Sequence, residues 1–510
     1  MTLGRAFSVG LNAFRARVVE VQANTSRGTP GFFITGLADV ALREARDRVR
    51  PAIVNSGGNF PELKVVVALA PANMPKAGPG FDLAMAVSIV LADKDADDKL
   101  LEAGAMLVPS TVFLGELGLD GAIRPVRGVL PCLLEARRAG FVRAVVPRAN
   151  MAEAGLVSGI EIHGATRFAD VCRWLRGDAE LDDEPPPVDG LTVPSPDMAD
   201  VVGQGQARRA LEIAAAGMHH ILMTGPPGIG KTMLARRLPG ILPSLGEDEA
   251  LEVTAIHSIA GALPRRRPLI VEPPFIAPHH SVTVTALLGG GTGTARPGVA
   301  SLAHRGVLFL DECAEMGAKA LDALRQPLEE GEVRVTRRDG VATYPARLQL
   351  VLAANPCPCA PAHDIDCVCS VVARRRYLGK LSGPLMDRID IRVRMNPPGN
   401  TALLTECGEP STAVRERVVA ARDAAVARWA HHGWRTNGEV PGSVLRGEFR
   451  LGPEAMRPVE LFLRDGRVTA RGADRALRLA WTLADLRGAE RPNQDDVAQA
   501  LLYRDRGGAA

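Results

Sequence analysis

Residues 221–235, ILMTGPPGIGKTMLA, limit the fold more than any other stretch: an apolar run, a turn rich in Gly and Pro, then a helix expected to open at Lys231. Gly225, Pro226, Pro227, Gly228, Ile229, Gly230, Lys231 and Thr232 satisfy the spacing G-x-x-x-x-G-K-[ST] at every fixed position. Small residues let successive backbone N–H groups converge on a phosphate, and a helix starting there adds the positive end of its dipole. The spacing predicts a loop that binds a nucleoside triphosphate, with Lys231 on the β and γ phosphates and Thr232 on Mg2+. A Gly-rich turn with no ligand is the alternative.

A second motif belongs to the same site. Val307, Leu308, Phe309 and Leu310 are apolar and are followed at once by Asp311 and Glu312. A buried strand that ends in acids delivers them to the carboxyl edge of a parallel sheet, beside the phosphate loop. There Asp311 would hold Mg2+ through water and Glu312 would polarise the water that attacks the γ phosphate, because this chemistry depends on positioning and charge stabilisation. Their alternative role is to cap a helix expected over 314–326. Residues 348–355, LQLVLAAN, repeat the design and end on Asn355, whose amide suits the orientation of that water. Together these segments predict an α/β core with a parallel sheet.

The rest of the chain sorts around that core. A length of 510 residues leaves room for about three domains. A composition of 46% hydrophobic and 23% charged residues is that of an ordinary soluble globular protein, and a net charge of +3 is too small to indicate a nucleic-acid partner. Residues 1–10 lack the apolar stretch of a secretory signal, and no apolar run approaches the roughly 20 residues needed to cross a bilayer, so a cytoplasmic protein with no membrane partner is expected. Short apolar runs at 18–21, 31–35 and 64–70 around a helical pattern at 40–55 give an α+β reading for a first domain, 1–178. Residues 179–200 are acidic and carry Pro185, Pro186, Pro187, Pro194 and Pro196, the composition of a stiff linker. The core then spans 201–396. In 397–510 helices are expected at 413–432, 454–463, 471–487 and 494–503, with a loop at 441–452.

Several of these segments resemble known families. Residues 115–126 and 128–147 resemble the proteolytic domain of Lon-type proteases, whose Ser and Lys dyad maps within Pro75, Lys76, Ala77, Gly78, Pro79, Gly80, Phe81, Asp82 and on the helix before Ala136 to Gly140. The serine position is Gly80 and the lysine position is Leu130. Without an Oγ to attack or an amine to activate it, acyl transfer has no residues to run on, so a scaffold and not a protease is expected. Val202 to Gln204 resemble the element that borders the adenine in AAA+ ATPases, and Asn355 resembles their sensor-1 residue. Arg388, in GPLMDRID, resembles an arginine finger offered to a neighbouring subunit, a pairing with Asp387 or Asp390 being the alternative. Arg471 sits where the superfamily's lid helix carries its sensor-2 arginine, with Arg475 as the competitor.

Residues 275–304, with NPCPC from Asn355 to Cys359, resemble the YifB/ComM family of magnesium-chelatase-like AAA+ proteins. The resemblance implies a Lon-protease-like α+β N-terminal domain, an AAA+ P-loop core and a helical C-terminal lid. It also implies a homohexameric ring that hydrolyses ATP with Mg2+ and remodels branched or single-stranded DNA, since ComM members are helicases driving branch migration in natural transformation. A chelatase-like or chaperone-like assembly ATPase without nucleic acid is the rival. Residues 332–345 read as a β-hairpin with Asp339 and Gly340 at its turn and Arg334, Arg337 and Arg338 placed to track a DNA backbone. Residues 265–267 and 374–376 are further Arg clusters, and a solvated charge run is the alternative for each. Cys357, Cys359, Cys367 and Cys369 could hold Zn2+, with His363 as a substitute ligand, or remain free or redox-active thiols. His279 and His280 are read as shaping the insertion.

Overall fold

The computed structural model describes residues 2–36, 40–71, 79–94, 97–184, 195–264, 268–291, 295–337, 340–361, 366–396 and 408–504. The first nine strands are β1 (Thr2–Asn12), β2 (Arg15–Ser26), β3 (Gly31–Thr35), β4 (Lys64–Ala70), β5 (Thr111–Phe113), β6 (Glu116–Leu117), β7 (Ile123–Arg124), β8 (Arg143–Pro147) and β9 (Glu161–Ala165). Seven of them form one mixed sheet in the order β3-β4-β2-β1-β5-β8-β9, while β6 and β7 make a small hairpin. Alternation fixes which way β2 faces: Val19, Val21 and Ala23 are buried, as are Val65, Val67 and Leu69 of β4 beside it. They cover the helix Asp82–Leu91, in which Leu83, Ala84, Met85, Ala86 and Val87 are all inaccessible. Gly4 lets that helix approach β1, since a Cβ there would lie 2.0 Å from the carbonyl oxygen of Ser88.

Asp82 opens this helix without any exposed surface, and its carboxylate accepts from Arg48 Nε at 2.8 Å, Arg48 Nη2 at 3.2 Å and the Leu117 N–H. Gly80 stands two residues before it, and Leu130 is buried in the apolar cluster under the opposite face of the sheet. The two positions expected to match the proteolytic dyad are thus a glycine and a buried leucine. Pro75, Lys76, Ala77 and Gly78 lie outside the described residues.

Nine more strands follow: β10 (Ile221–Thr224), β11 (Phe275–Ile276), β12 (Gly289–Gly290), β13 (Arg296–Pro297), β14 (Val307–Leu310), β15 (Glu332–Arg337), β16 (Gly340–Pro345), β17 (Gln349–Ala354) and β18 (Ile391–Arg394). Five form a parallel sheet in the order β11-β14-β17-β10-β18. Its central strands are buried on both faces, which is why VLFL and QLVLAA run apolar without alternation. The helix expected at 314–326 is instead a 3-10 turn, Cys313–Glu315, then the helices Ala318–Ala323 and Arg325–Glu330. The first of these helices begins only after Gly317, which is extended at φ −65° and ψ 135°. The region 441–452, expected as loop, contains the short helix Gly442–Arg446.

Helices Ser411–Trp429, Pro453–Arg464, Ala470–Leu486 and Gln494–Leu502 make up the C-terminal part. They share one core with the helix Gly205–Gly217 and with Ile221, Val351 and Ile391 of the parallel sheet. Trp429 is fully buried, edge-on to Phe449 and Trp481, and its Nε1 donates to Asn437 Oδ1 at 2.9 Å. The helix Ala470–Leu486 is tied to residues that precede the sheet strands: His219 Nε2 contacts Thr482 Oγ1 at 2.7 Å and Arg475 Nη1 donates to Asp390 Oδ1 at 2.8 Å.

The two sheets meet through the helix Glu247–Ala260. Its Ala255 belongs to the apolar cluster formed by Val9, Val112, Leu133 and Val146, and its Ser258 donates to the buried carboxylate of Glu153. Glu153 also accepts from the Leu130 N–H at 2.8 Å, while burial pushes its protonation upward. Asp182 bridges to Gly164 at the outer edge of the first sheet, and Asp197 accepts from the N–H groups of Ala199 and Ser411.

The Asp82 pair makes a stability prediction. Burial raises its carboxyl from 3.8 to about 6, against the pull of Arg48. The folded chain therefore binds more protons than the unfolded one between these values, and Asp82's contribution to stability falls as pH rises through that window. Arg48→Met strands the carboxylate, at a cost of about 3 kcal/mol near pH 8. Thermal unfolding should show a large loss there and a smaller one near pH 5, where protonation removes the unpaired charge.

Candidate nucleotide site

Backbone geometry explains each small residue of the loop after β10. A Cβ on Gly225 would meet the Met395 carbonyl oxygen at 2.7 Å, and Gly228 and Gly230 have φ of +76° and +96°, which L side chains rarely adopt. The helix that follows, Lys231–Ala235, is only five residues long, so the dipole expected of it is small and the loop N–H groups and the lysine carry the positive potential. Gln204, in the element expected beside the adenine, donates from Nε2 to the Asn396 carbonyl just past β18, on the edge where the loop lies.

Register brings the other groups to that edge. Thr224 pairs with Ala354 and Leu310 with Leu352, so Gly225, Asn355 and Asp311 emerge together where three neighbouring parallel strands end. Lys231 Nζ donates to the carbonyls of Gly225 and Pro226 at 2.7 and 2.8 Å and to Asn355 Oδ1 at 3.0 Å. Burial lowers its affinity for the proton, while Asp311 and Glu312 work to hold the charge. Thr232 Oγ1 donates to Asp311 Oδ2 at 2.6 Å, and Asp311 Oδ1 accepts from the Glu312 N–H at 2.9 Å. One hydroxyl and one carboxylate in direct contact, beside a buried ammonium, form a donor set suited to Mg2+ with a polyphosphate. Glu312 sits in the left-handed region at φ +48°, uncommon for this residue.

Sequence reasoning missed the partner of Glu312. His280 Nδ1 lies 3.2 Å from Glu312 Oε2, with the His279 ring 4.0 Å from that of His280 and His279 Nδ1 2.8 Å from Ser281 Oγ. The pair of histidines was legible as a feature of the 275–304 segment. What joined it to the acid was the parallel pairing of β11 with β14, Phe275 to Val307, which starts both segments from one register.

Arg388 and Arg471 are not brought to this edge. Residues Met218, His220, Leu348 and Asp390 precede β10, β17 and β18, and with Glu329, Arg471 and Arg475 they line a cleft of about 660 Å³ at the amino edge of the sheet. The four residues of β10 alone separate the two edges by ~10 Å. Arg388, 6% exposed, pairs with Glu329 and donates from Nη1 to the Pro384 carbonyl, not to Asp387 or Asp390. Arg471 lies 3.5 Å from the same Glu329, so the lid arginine does not face the phosphate loop of its own chain. Arg475, the competitor, is held by Asp390. Burial opposes ionisation of Asp390, but Arg475, His219 and His220 outweigh it and hold its carboxyl well below the usual range. Burial in turn pushes His220 down to about 4.

The hairpin forms as β15 and β16, antiparallel from Glu332 with Pro345 to Arg337 with Gly340. Gly340 is thereby a strand residue paired with Arg337, not a turn residue. Arg334 is exposed but engaged, its Nε donating to Glu332 Oε1 at 2.6 Å and its Nη2 3.5 Å from Glu330. Arg338, Asp339, the cluster at 265–267 and His363 lie outside the described residues, as does the side chain of Arg337. Cys357, Cys359, Cys367 and Cys369 converge just past Asn355.

A contact between side chains as exposed as His280 and Glu312 is worth at most about 1 kcal/mol, a factor of about 5 in a rate. His280→Ala should raise basal nucleotide hydrolysis by up to that factor, by leaving the Glu312 carboxylate free to turn toward the loop. Steady-state turnover of the variant checks it.

Comparison with known proteins extends over nearly the whole chain. Residues 197–403 match the family Magnesium chelatase, subunit ChlI, residues 20–150 match Subunit ChlI of Mg-chelatase, and residues 408–504 match the ChlI C-terminal family. The chain is similar to Rv2897c of Mycobacterium tuberculosis, 53% identical over 507 residues that cover 99% of each protein. It is 37% identical to YifB of Escherichia coli over 500 residues, covering 98% of this chain and 95% of that one. With Competence protein ComM of Haemophilus influenzae the identity is 37% over 515 residues, covering 99% and 98%. Among the described residues no helix is long and apolar enough to cross a membrane. Family matches over most of the chain, with relatives 37% or more identical over 95% or more of each protein, place the chain in the YifB/ComM family of magnesium-chelatase-like AAA+ proteins.

Proposed function

We propose that the protein is a cytoplasmic ATP-hydrolysing motor that assembles as a homohexameric ring and remodels branched DNA. The observation that carries the ATPase reading is the contact between Thr232 Oγ1 and Asp311 Oδ2, set beside Lys231 and Asn355. Lys231 exchanges its loop carbonyls for β and γ phosphate oxygens, and the glycine-rich backbone cradles them. Thr232 and Asp311 would hold Mg2+, which would neutralise charge building on the phosphates. Glu312, once clear of His280, accepts a proton from the attacking water, and Asn355 orients that water. Arg388 and Arg471 share Glu329 at the opposite edge of the sheet and act on the site of the next subunit. Residues 1–178, lacking the dyad, serve as scaffold.

The DNA part of the reading rests on the relative named Competence protein ComM and on the hairpin β15–β16, which presents Arg334 on an exposed arm. Backbone contacts of this kind bind by charge and without sequence readout.

Lys231→Ala should remove nucleotide binding, whereas Glu312→Gln should keep binding and lower turnover by about 10²-fold or more. Arg388→Ala should lower turnover by about 10³-fold with binding retained, and mixing it with Lys231→Ala subunits should restore hydrolysis at mixed seams. For the substrate, ATPase measured with a synthetic four-way junction should rise, and the rise should weaken steeply with salt. Strand exchange of the junction in the same assay completes the reading. No stimulation by junction or single-stranded DNA would leave the assembly ATPase as the function.

A further inference from the structure

Among the described residues, four cysteines are arranged unlike the other three. Cys132, Cys172 and Cys313 are isolated thiols buried in apolar cores, as free cysteines commonly are. Cys357, Cys359, Cys367 and Cys369 instead bring all four Sγ atoms within 4.8 Å of one another at the surface, with Cys359 exposed and Cys367 and Cys369 half-buried. Apolar packing does not account for three accessible thiols meeting in this way. Their separations are 3.3 Å from Cys357 to Cys359, 3.6 Å from Cys359 to Cys367 and 3.4 Å from Cys367 to Cys357. A disulfide needs ~2.05 Å. Four sulfurs at ~2.3 Å from one central ion stand ~3.8 Å apart, close to what is found.

We propose that these four thiolates hold one Zn2+ in a tetrahedral site that fixes the segment following β17. The ion is bound by loss of one proton from each thiol, with no change of oxidation state. An all-sulfur tetrahedral set selects zinc or iron, and four thiolates this close enclose a single ion and not a multi-iron cluster. The segment has need of such a staple: from the end of β17 at Ala354 to the start of the helix Val371–Leu378, the described residues form no strand and no α-helix. Cys357 is two residues beyond Asn355, whose Oδ1 accepts from Lys231, and Cys369 precedes Ser370, whose side chain caps that helix. The metal thereby joins the residue at the phosphate lysine to the helix carrying Arg374, Arg375 and Arg376. This inference does not depend on the DNA reading or on ring assembly.

The test uses the full chain purified without chelator and without metal-affinity resin. Elemental analysis should find about one zinc per chain. Replacing the zinc with Co2+ should give the intense visible absorption of a tetrahedral thiolate site. In C359S/C369S, which alters the more accessible ligands, bound zinc should fall to near zero with the far-ultraviolet dichroism unchanged. If that variant fails to fold, alkylation of the wild-type chain decides. Cys359, Cys367 and Cys369 should be protected from iodoacetamide, as read by peptide mass spectrometry, and should react once a chelator is added. Absence of metal with these thiols reacting at once, a disulfide among them, or iron in place of zinc would each overturn the proposal.

Discussion

The nucleotide site depends on register in the parallel sheet more than on any one side chain. Because β14, β17 and β10 run the same way and are aligned to the residue, the groups that follow them, Asp311, Asn355 and the phosphate loop, arrive at one edge without help from the rest of the fold. A shift by one residue in β14 would turn Asp311 to the other face and part it from Thr232. A slip that drew Asp311 into β14 would bury its carboxylate between apolar strands, which opposes the shift.

Much of this was open to inspection in the chain itself. The fixed spacing from Gly225 to Thr232 and the acids after Leu310 announce a site because both signals are local: a few consecutive residues determine loop shape and strand end together. The parallel-sheet core is likewise legible from unbroken apolar runs. What could not be read was anything set by contacts distant in sequence. His280 meets Glu312 across 32 positions, through strand pairing that a two-residue strand, β11, barely signals. Arg388, in the turn after Gly383–Met386, and Arg471, in the helix Ala470–Leu486, converge on Glu329 from distant parts of the chain that no spacing rule links. The break near Gly317 was missed for a related reason, helical composition continuing on both sides of it.

The sheet therefore has two charged edges with different character. At the carboxyl edge, Lys231, Asp311 and Glu312 are gathered where a polyphosphate can enter. At the amino edge, Arg388, Arg471, Arg475 and Arg504 surround Asp390 and Glu329, and burial makes several of these pairs hard to separate singly. The C-terminal helices dock on this second edge through Thr482 and Arg475.

The helix Glu247–Ala260 is claimed by two interiors at once. Its Ala255 fills the core beneath the first sheet and its Val253 and Ile256 are inaccessible as well, while Ser258 supplies a hydrogen bond that the sunken Glu153 carboxyl would otherwise lack. The two sheets are therefore fastened to one another by packed side chains as well as by the backbone that joins them. Halves of the chain separated between the two sheets would each carry a bare greasy flank shaped for the other. They should find one another again in solution, as two pieces of a complemented protein do.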